Sequence, residues 1–167
     1  EVNMAVIAGT AVAVPNKAGF MQARVEALTI LERNGEIKAF AKTEVLGPER
    51  LDSLQSDIVH QEFFDLEPGE YALTLELRDL NSADTSVTRY NAPLAVAAAP
   101  TDLQISDMLF AERIVPAEKG VPSKFGHQVV PLLADYLPQT ITGLSFYAEV
   151  YNTDVRFGKD SLYLLVH

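Results

Sequence analysis

The sequence predicts an all-β fold, in which an immunoglobulin-like β-sandwich is followed by a second β-sandwich unit. Apolar and polar residues alternate over several segments, and a period of two is typical of strands that bury one face. Turn residues such as Asn, Gly and Pro separate these segments about every ten residues, as they do in sandwiches. No segment shows a clear helical period, although residues 48–55 are long enough for one or two helical turns.

The first unit is predicted to span residues 1–98. Its strands are expected at residues 3–14, from Met21 onward, and at residues 37–45, 57–66, 71–78 and 85–97. The alternation that starts at Met21 slips at Ala27–Leu28, which predicts a bulge or a fully buried strand end. Asn34–Gly35 predicts a tight hairpin, because both residues tolerate positive φ.

The strand at residues 71–78 has the clearest pattern. Tyr71 and three leucines share one parity, while Ala, Thr, Glu and Arg share the other. Pro68–Gly69 opens this strand and residues 81–84 close it, and both segments have the composition of turns. Tyr71 resembles the tyrosine corner of immunoglobulin-like sandwiches, in which the hydroxyl group ties a crossing loop to the sheet.

The second unit is predicted to span residues 101–167, beyond an Ala-rich boundary that ends in Pro100 and Thr101. We expect strands at residues 103–114, 144–152 and 161–167, a long loop at residues 116–128, and either an edge strand or irregular structure at residues 131–138. A sheet this small rarely stands alone, so it must pack on the first sandwich, pair with another chain or be incomplete. We favour the last interpretation, a fragment of a longer protein.

The charge balance argues against nucleic acid as a partner. Lys and Arg total 13 against 23 Asp and Glu, and the resulting net charge of -10 repels phosphate backbones and anionic membrane surfaces. No run approaches the ~20 apolar residues that a membrane-spanning helix needs. The absence of cysteine excludes disulfides, thiolate metal sites and a Cys nucleophile. The start at Glu1, without a Met or a signal peptide, is what a processed exported protein or an engineered chain would show.

Residues with catalytic or metal-binding chemistry form no recognised motif. His127 could be grouped with Asp107 and Ser123, but no nucleophile elbow or similar context accompanies them. Oxygen-bearing side chains crowd residues 79–84, where a calcium site is one interpretation and ordinary turn hydrogen bonding is the preferred one. The sequence therefore predicts no catalytic residue, no metal site, no cofactor and no enzymatic activity.

The candidate binding surface consists of aromatic residues on the strands expected near the C-terminal end. If those strands pair, one face carries Tyr147, Glu149, Tyr151 and Tyr163. Exposed tyrosine rings suit sugar rings, and amphipathic tyrosines also suit protein interfaces. The alternative, which we prefer, is that this face is covered by core or interdomain packing.

Several short motifs occur in order along the chain: Pro68-Gly69-Glu70-Tyr71, Arg78-Asp79, Ser106-Asp107 and the stretch FYAEVYN at residues 146–152. Together they resemble the N-terminal β-sandwich region of the GWxTD-domain proteins, Bacteroidota envelope proteins named for a Gly-Trp-x-Thr-Asp signature. The resemblance implies β-sandwich modules of an exported, non-enzymatic protein. The chain contains no Trp, so the signature and its domain are absent and no functional residues are carried over.

From these observations we expect a structural or protein-interaction module of an exported bacterial cell-envelope protein, in the periplasm or at the cell surface. Its partner would be another protein or a second copy of itself, of unknown identity. A carbohydrate-binding module that uses the tyrosine-bearing strands is the alternative, and a hydrolase is a more distant third. Fold class alone does not decide among them, because sandwiches carry many unrelated activities.

Overall fold

The computed structural model describes residues 1–51, 57–119, 123–133 and 142–158, and these are nearly all β. The all-β prediction is thus confirmed. The chain divides into two compact units, Glu1–Ala97 and Ala98–His167, which we call unit 1 and unit 2. Every strand pair in the described residues is antiparallel.

Unit 1 consists of two sheets. Its strands are β1 (Val2–Val6), β2 (Ala13–Pro15), β3 (Met21–Arg33), β4 (Glu36–Leu46), β5 (Ile58–Glu62), β6 (Gly69–Asp79) and β7 (Thr88–Val96). The larger sheet has the order β4-β3-β6-β7, with β2 paired to the first residues of β3. The smaller sheet contains β1 and β5. Side chains from both sheets meet in one core, so unit 1 is a sandwich of two layers.

The hairpin between β3 and β4 forms where the sequence predicts it. Asn34 and Gly35 have φ values of 56° and 78°, the positive pair that a tight hairpin turn of this kind requires. Neither the bulge nor the fully buried strand end predicted at Ala27–Leu28 is present, because β3 continues to Arg33 and its register with β4 is unbroken up to Leu31 and shifts between Leu31 and Glu32. Alternate residues of β3 stay buried through this region, and the polar Thr29 takes an inner position that the sequence pattern assigns to an apolar residue.

The single strand predicted at residues 3–14 is instead two strands. A turn separates β1 from β2, with Gly9 at φ 82° and a hydrogen bond of 3.1 Å from the Thr10 N–H to the Ile7 carbonyl oxygen. Because the apolar residues continue on both sides of Gly9, the pattern alone hides this turn.

The start of β2 is fastened to the end of β6 by two polar side chains. The Asp79 carboxylate accepts hydrogen bonds from the N–H of Val12 at 2.7 Å and from the N–H of Asn81 at 2.8 Å. The Asn81 side-chain amide donates to the carbonyl oxygens of Val12 at 2.8 Å and Gln22 at 3.0 Å. The crowded turn at residues 79–84 therefore makes side-chain-to-backbone hydrogen bonds, as in the preferred interpretation, and the bonds of Asp79 and Asn81 also join strands, which the sequence did not predict.

The core of unit 1 lies between the two sheets. Its buried residues are Met4 on β1, Ala11, the alternate residues Ala23, Val25 and Ala27 of β3, Val45 on β4 and Ile58 on β5. Leu31 extends the same face of β3 and is fully buried. Tyr71 is buried at the start of β6, and its hydroxyl group donates to the Glu67 carbonyl oxygen at 2.8 Å. The tyrosine therefore holds the preceding loop against the sheet.

Unit 2 is built from shorter elements. They are β8 (Gln104–Ile105), β9 (Leu109–Pro116), β10 (His127–Pro131), β11 (Ser145–Tyr147), β12 (Val150–Tyr151) and the helix α1 (Thr153–Phe157). One sheet has the order β10-β9-β11, and β12 pairs with β8. The sequence patterns did not predict the helix, because five residues are too few to show a helical period.

Two of the strands predicted in unit 2 are each divided. The strand expected at residues 103–114 is interrupted at Ser106–Met108, and the strand expected at residues 144–152 is interrupted at Ala148–Glu149. Of the loop expected at residues 116–128, residues 117–119 and 123–126 lie outside the strands, whereas Pro116 still belongs to β9 and β10 begins at His127. The strand expected at residues 161–167 lies outside the described residues.

Two further predictions fall only partly within the described residues. For the helical turns expected at residues 48–55, only residues 48–51 are described, and they are not helical: the Arg50 carbonyl and N–H groups bond to Met21. For the edge strand or irregular segment expected at residues 131–138, the description ends at residue 133. There Pro131 completes β10 and pairs with Ala111 of β9.

Candidate functional site

The outward face of the larger sheet of unit 1 carries an exposed apolar stripe. Ile30 of β3 lies directly beside Phe40 of β4, and Leu28 and Ile37 lie in neighbouring positions of the same two strands. Phe40 is 68% exposed and Ile37 is 57% exposed. We call these four residues the outer stripe. Large side chains with this exposure have their apolar surface in water unless a partner covers it.

The row of residues through Phe40 continues across the sheet. Ile30 pairs with Thr74 of β6, and Thr74 pairs with Asn91 of β7. The Thr74 hydroxyl group donates to the Asn91 side-chain oxygen at 2.9 Å, which joins the two side chains on the outward face of the sheet. The row therefore passes from apolar on β4 and β3 to polar on β6 and β7.

Ion pairs border the outer stripe on the side away from the hairpin turn. Glu26 lies between Lys42 and Arg78, with nitrogen-to-oxygen distances of 3.2 and 2.9 Å. Arg24 pairs with Glu44 at 2.8 Å, and Arg89 of β7 pairs with Glu76 of β6. Each exposed pair contributes about 0–1 kcal/mol to stability. Their effect on the surface is to place charges of both signs next to the apolar side chains.

The interior of unit 1 contains a polar pair that the sequence does not reveal. Glu62 is 8% exposed, and its Oε1 atom lies 3.3 Å from His60 Nε2 and 3.5 Å from the Thr43 hydroxyl group. The Oε2 atom of Glu62 and the Thr29 hydroxyl group are buried without a hydrogen-bond partner. Among the described residues no Ser or Thr hydroxyl group is bonded to His60.

Within the described part of the chain, His127 and the acidic side chains form no further cluster. His127 Nδ1 lies 3.2 Å from the Phe125 carbonyl oxygen, and no bond between His127 and Asp107 occurs within the described part of the chain. No group of three or more metal-ligating side chains is found among the described residues. No helix in those residues is long and apolar enough to cross a membrane.

In unit 2 the structure brings three of the predicted surface residues together. The hydroxyl groups of Tyr147 and Tyr151 donate to the two carboxylate oxygens of Glu149, at 2.8 and 2.6 Å. The Lys124 ammonium group lies 5.3 Å from the centre of the Tyr147 ring, within cation–π range. Tyr163 lies outside the described residues. The polar tips of both tyrosines are thus engaged with Glu149.

The backbone of Glu149 is held by the other motif of unit 2. Its N–H group donates to the Ser106 hydroxyl oxygen at 2.8 Å, and the Ser106 N–H donates to the Glu149 carbonyl oxygen at 2.8 Å. The Asn152 side-chain amide donates to the carbonyl oxygens of Pro100 and Asp102, at 2.6 and 3.0 Å. The motifs at residues 106–107 and 146–152 therefore contact each other and order the start of unit 2.

The hydrogen bond to Glu149 raises the pKa of Tyr151 above its ordinary value, with burial and the negative charge of Glu149 as smaller causes. Because the pKa of Tyr151 is higher in the folded state than in the unfolded state, the protonated phenol stabilises the fold at pH values below the ordinary tyrosine pKa. That contribution is lost as the pH rises through the folded-state pKa. In an absorbance titration of tyrosinate we expect Tyr151→Phe to remove the component with the raised pKa. Glu149→Gln should instead shift that component to lower pH. An unchanged titration in both variants would contradict the Glu149 bond.

Protein-family models, curated proteins and solved structures contain no match to the chain. The support for the candidate site therefore comes from the contacts described above.

The outer stripe was not predicted, although the sequence contains a signal for it. Leu28 and Ile30 interrupt the alternation of β3 with apolar residues on the polar parity, and Phe40 does the same on β4. The first interruption is the slip at Ala27–Leu28 that predicts a bulge or a fully buried strand end. A strand that is apolar on both parities also fits a second buried face, or a face that a partner covers.

Proposed function

We propose that this protein is a structural or protein-interaction module of an exported bacterial cell-envelope protein, and that the outer stripe of unit 1 is its contact surface. The observation that carries the proposal is the exposure of Phe40 and Ile37 beside Ile30 and Leu28 on one sheet face. An aromatic side chain inside an apolar patch with a charged border is the usual composition of a protein interface.

The geometry favours a protein partner over a small molecule at this surface. The four apolar side chains lie on adjacent strands of one sheet face, whereas ligand pockets are concave and enclose their ligand. The bordering pairs Lys42–Glu26–Arg78 and Arg24–Glu44 offer both donors and acceptors to the rim of a partner. A flat apolar centre with a polar rim supports binding to a folded protein surface.

Two observations support an immunoglobulin-like character for unit 1 as part of this proposal. Its two sheets face each other across one core, and Tyr71 makes the backward hydrogen bond expected of a tyrosine corner. The resemblance to GWxTD-domain proteins supports export to the periplasm or cell surface. Under this proposal, unit 1 would present the contact surface.

The test uses Phe40→Thr, which removes the exposed ring and keeps a residue that favours strands. We expect its free energy of unfolding to stay within about 1 kcal/mol of the wild type, because the ring is mostly in water. Enrichment of a specific protein from a cell-envelope extract, quantified by mass spectrometry, should fall at least about tenfold, equivalent to about 1.4 kcal/mol. Val87→Thr is the matched control, since Val87 is 48% exposed and lies outside the outer stripe.

Sedimentation velocity of the purified chain separates a foreign partner from self-association. A dimer that Phe40→Thr dissociates would identify the partner as a second copy, which the proposal includes. Equal enrichment by wild type and Phe40→Thr, with no change in oligomeric state, would contradict the use of the outer stripe.

The alternative, a carbohydrate-binding module, would use Tyr147 and Tyr151 of unit 2. Tyr151 is 36% exposed and supports this alternative, whereas the engagement of both hydroxyl groups with Glu149 weighs against it. A glycan array probed with wild type and Tyr151→Ala distinguishes the two functions. Glycan signals that disappear in Tyr151→Ala would favour the carbohydrate-binding function.

A further inference from the structure

Among the strands that the structure describes, the smaller sheet of unit 1 leaves part of the larger sheet uncovered. The smaller sheet has β1 and β5, whereas the larger one has four strands side by side. β5 lies toward β4, as the contact between Glu62 and Thr43 shows, and β1 lies toward β7, with which it lines shared depressions. Since neighbouring strands are about 4.8 Å apart, a further strand beside β1 would fit over β6 and β7.

Two depressions mark this uncovered region. One, of about 500 Å³, lies between Val6 of β1 and Thr88 of β7, with the buried Val25 and half-buried Leu77 in its lining. The other, of about 360 Å³, lies between Val2 of β1 and the end of β7 at residues 94–96, and reaches the buried Leu31. Both depressions thus extend to the core along the length of β1.

The inward face of β7 is exposed at the same place. Tyr90 pairs with Leu75 and so points to the core side of the sheet, yet it is 60% exposed. Thr88 pairs with Leu77 on the same face and is also exposed. An inward-facing aromatic side chain with this exposure indicates that the layer opposite it is incomplete in the described residues.

The open edge of β1 differs from the other edges of unit 1. Within the described residues β1 pairs only with β5, and its sequence VNMAV contains neither a charged residue nor proline. β7 carries Arg89 and Pro93, and β4 carries two lysines and two glutamates. Charges and proline are the usual protection of an edge strand against added strands, so β1 is the edge that accepts one.

The charge of the region determines the kind of strand that fits. Carboxylates line both depressions: Asp79 and Asp84 at one end, and Glu1 and Asp65 at the other. No Lys or Arg is among the described residues that line either one. With a net charge of -10 for the chain, a strand that carries Lys or Arg at its ends is electrostatically favoured, and a second copy of this acidic chain is disfavoured.

We propose that the free edge of β1 binds an extended segment of a partner protein, with alternate apolar side chains directed into the two depressions and basic residues at its ends. The added strand would pair with the backbone of β1 and cover Tyr90 and Leu77. Backbone hydrogen bonds and pockets for alternate side chains are the basis of strand addition. This site is independent of the outer stripe, which lies on the opposite face of the larger sheet.

The test uses a labelled peptide of about ten residues in which Val and Thr alternate and lysines flank both ends. Binding to the intact chain is measured by fluorescence anisotropy at low and high salt. We expect binding that weakens as salt rises, because exposed charges are screened. The same peptide with glutamates in place of the lysines, or with prolines in place of the central valines, should bind at least about tenfold more weakly.

The protein variants are Thr88→Arg, which places a cation in the larger depression, and Asn91→Arg, which makes the same change in charge on the opposite face of β7. Thr88→Arg should weaken binding at least about tenfold, and Asn91→Arg less than about twofold. Ser86 lines the same depression, so Ser86→Arg is the substitute variant if Thr88→Arg does not fold.

The proposal is overturned if the lysine-flanked peptide does not bind, if the glutamate or proline peptides bind equally well, or if Thr88→Arg and Ser86→Arg leave binding unchanged. A dimer in sedimentation velocity that these variants dissociate would assign the edge to a second copy and would also overturn it. If Phe40→Thr loses the enriched partner but still binds the peptide, the β1 edge and the outer stripe are two independent binding sites.

Discussion

Leu31→Ala is expected to lower the free energy of unfolding of unit 1 by about 2–5 kcal/mol. Leu31 is fully buried, and its strand is paired on both sides, with β4 and with β6. Because the backbone of a central strand is held by both neighbours, the cavity left by the side chain closes only in part. Urea denaturation followed by circular dichroism measures the change.

Leu46→Ala is the matched control for this prediction. Leu46 ends β4 and is 53% exposed, so its truncation should cost less than about 1 kcal/mol. Equal losses in the two variants would mean that Leu31 does not belong to the core.

Asp79→Ala is expected to lower the free energy of unfolding by about 2 kcal/mol. The carboxylate of Asp79 accepts backbone hydrogen bonds from Val12 and Asn81, and both N–H groups lose this partner in the variant. Charge-assisted bonds of this kind are stronger than neutral ones. The same urea denaturation, with the midpoint compared at constant slope, measures the change.

Asp84→Ala is the control in the same turn, because the Asp84 carboxylate bonds within the turn and does not join two strands. The Asp84 carboxylate accepts hydrogen bonds from the N–H and hydroxyl groups of Ser86, and these bonds keep the pKa of Asp84 below its ordinary value. We expect a smaller loss of stability than for Asp79→Ala. Equal losses would contradict the joining role of Asp79, and an unfolding midpoint raised by added calcium would show that the turn binds the ion after all.

The parts of unit 1 that the sequence predicts well are those determined by neighbours along the chain. Asn34–Gly35 has the local conformation that makes a hairpin. Once Tyr71 is buried, the alternation that follows it determines which residues of the strand face the core. The turn at Gly9 escaped prediction because Ala, Val and Ile occupy both sides of it. Nothing local distinguishes a strand that continues from one that turns and pairs elsewhere.

The predictions for unit 2 were less accurate because its strands are short and depend on distant contacts. The division between Tyr147 and Val150 follows from the bonds that hold Glu149 to Ser106, far away in the sequence. A pattern of alternating residues contains no information about such a bond. The proximity of Tyr147, Glu149 and Tyr151 is predictable from their spacing, whereas nothing in that spacing indicates that both tyrosines donate to one carboxylate.

The pairing of β1 with β5 has a consequence for the order in which unit 1 assembles. The hairpin of β3 and β4 joins residues that are adjacent in the chain, whereas Val2 pairs with Glu62 across all of the intervening strands. Closing so long a loop costs more entropy than closing a tight turn, and distant pairings slow folding. The layer that carries Met4 should consequently be the last to dock, and newly made chains would transiently expose the apolar face that Val25 and Ala27 line.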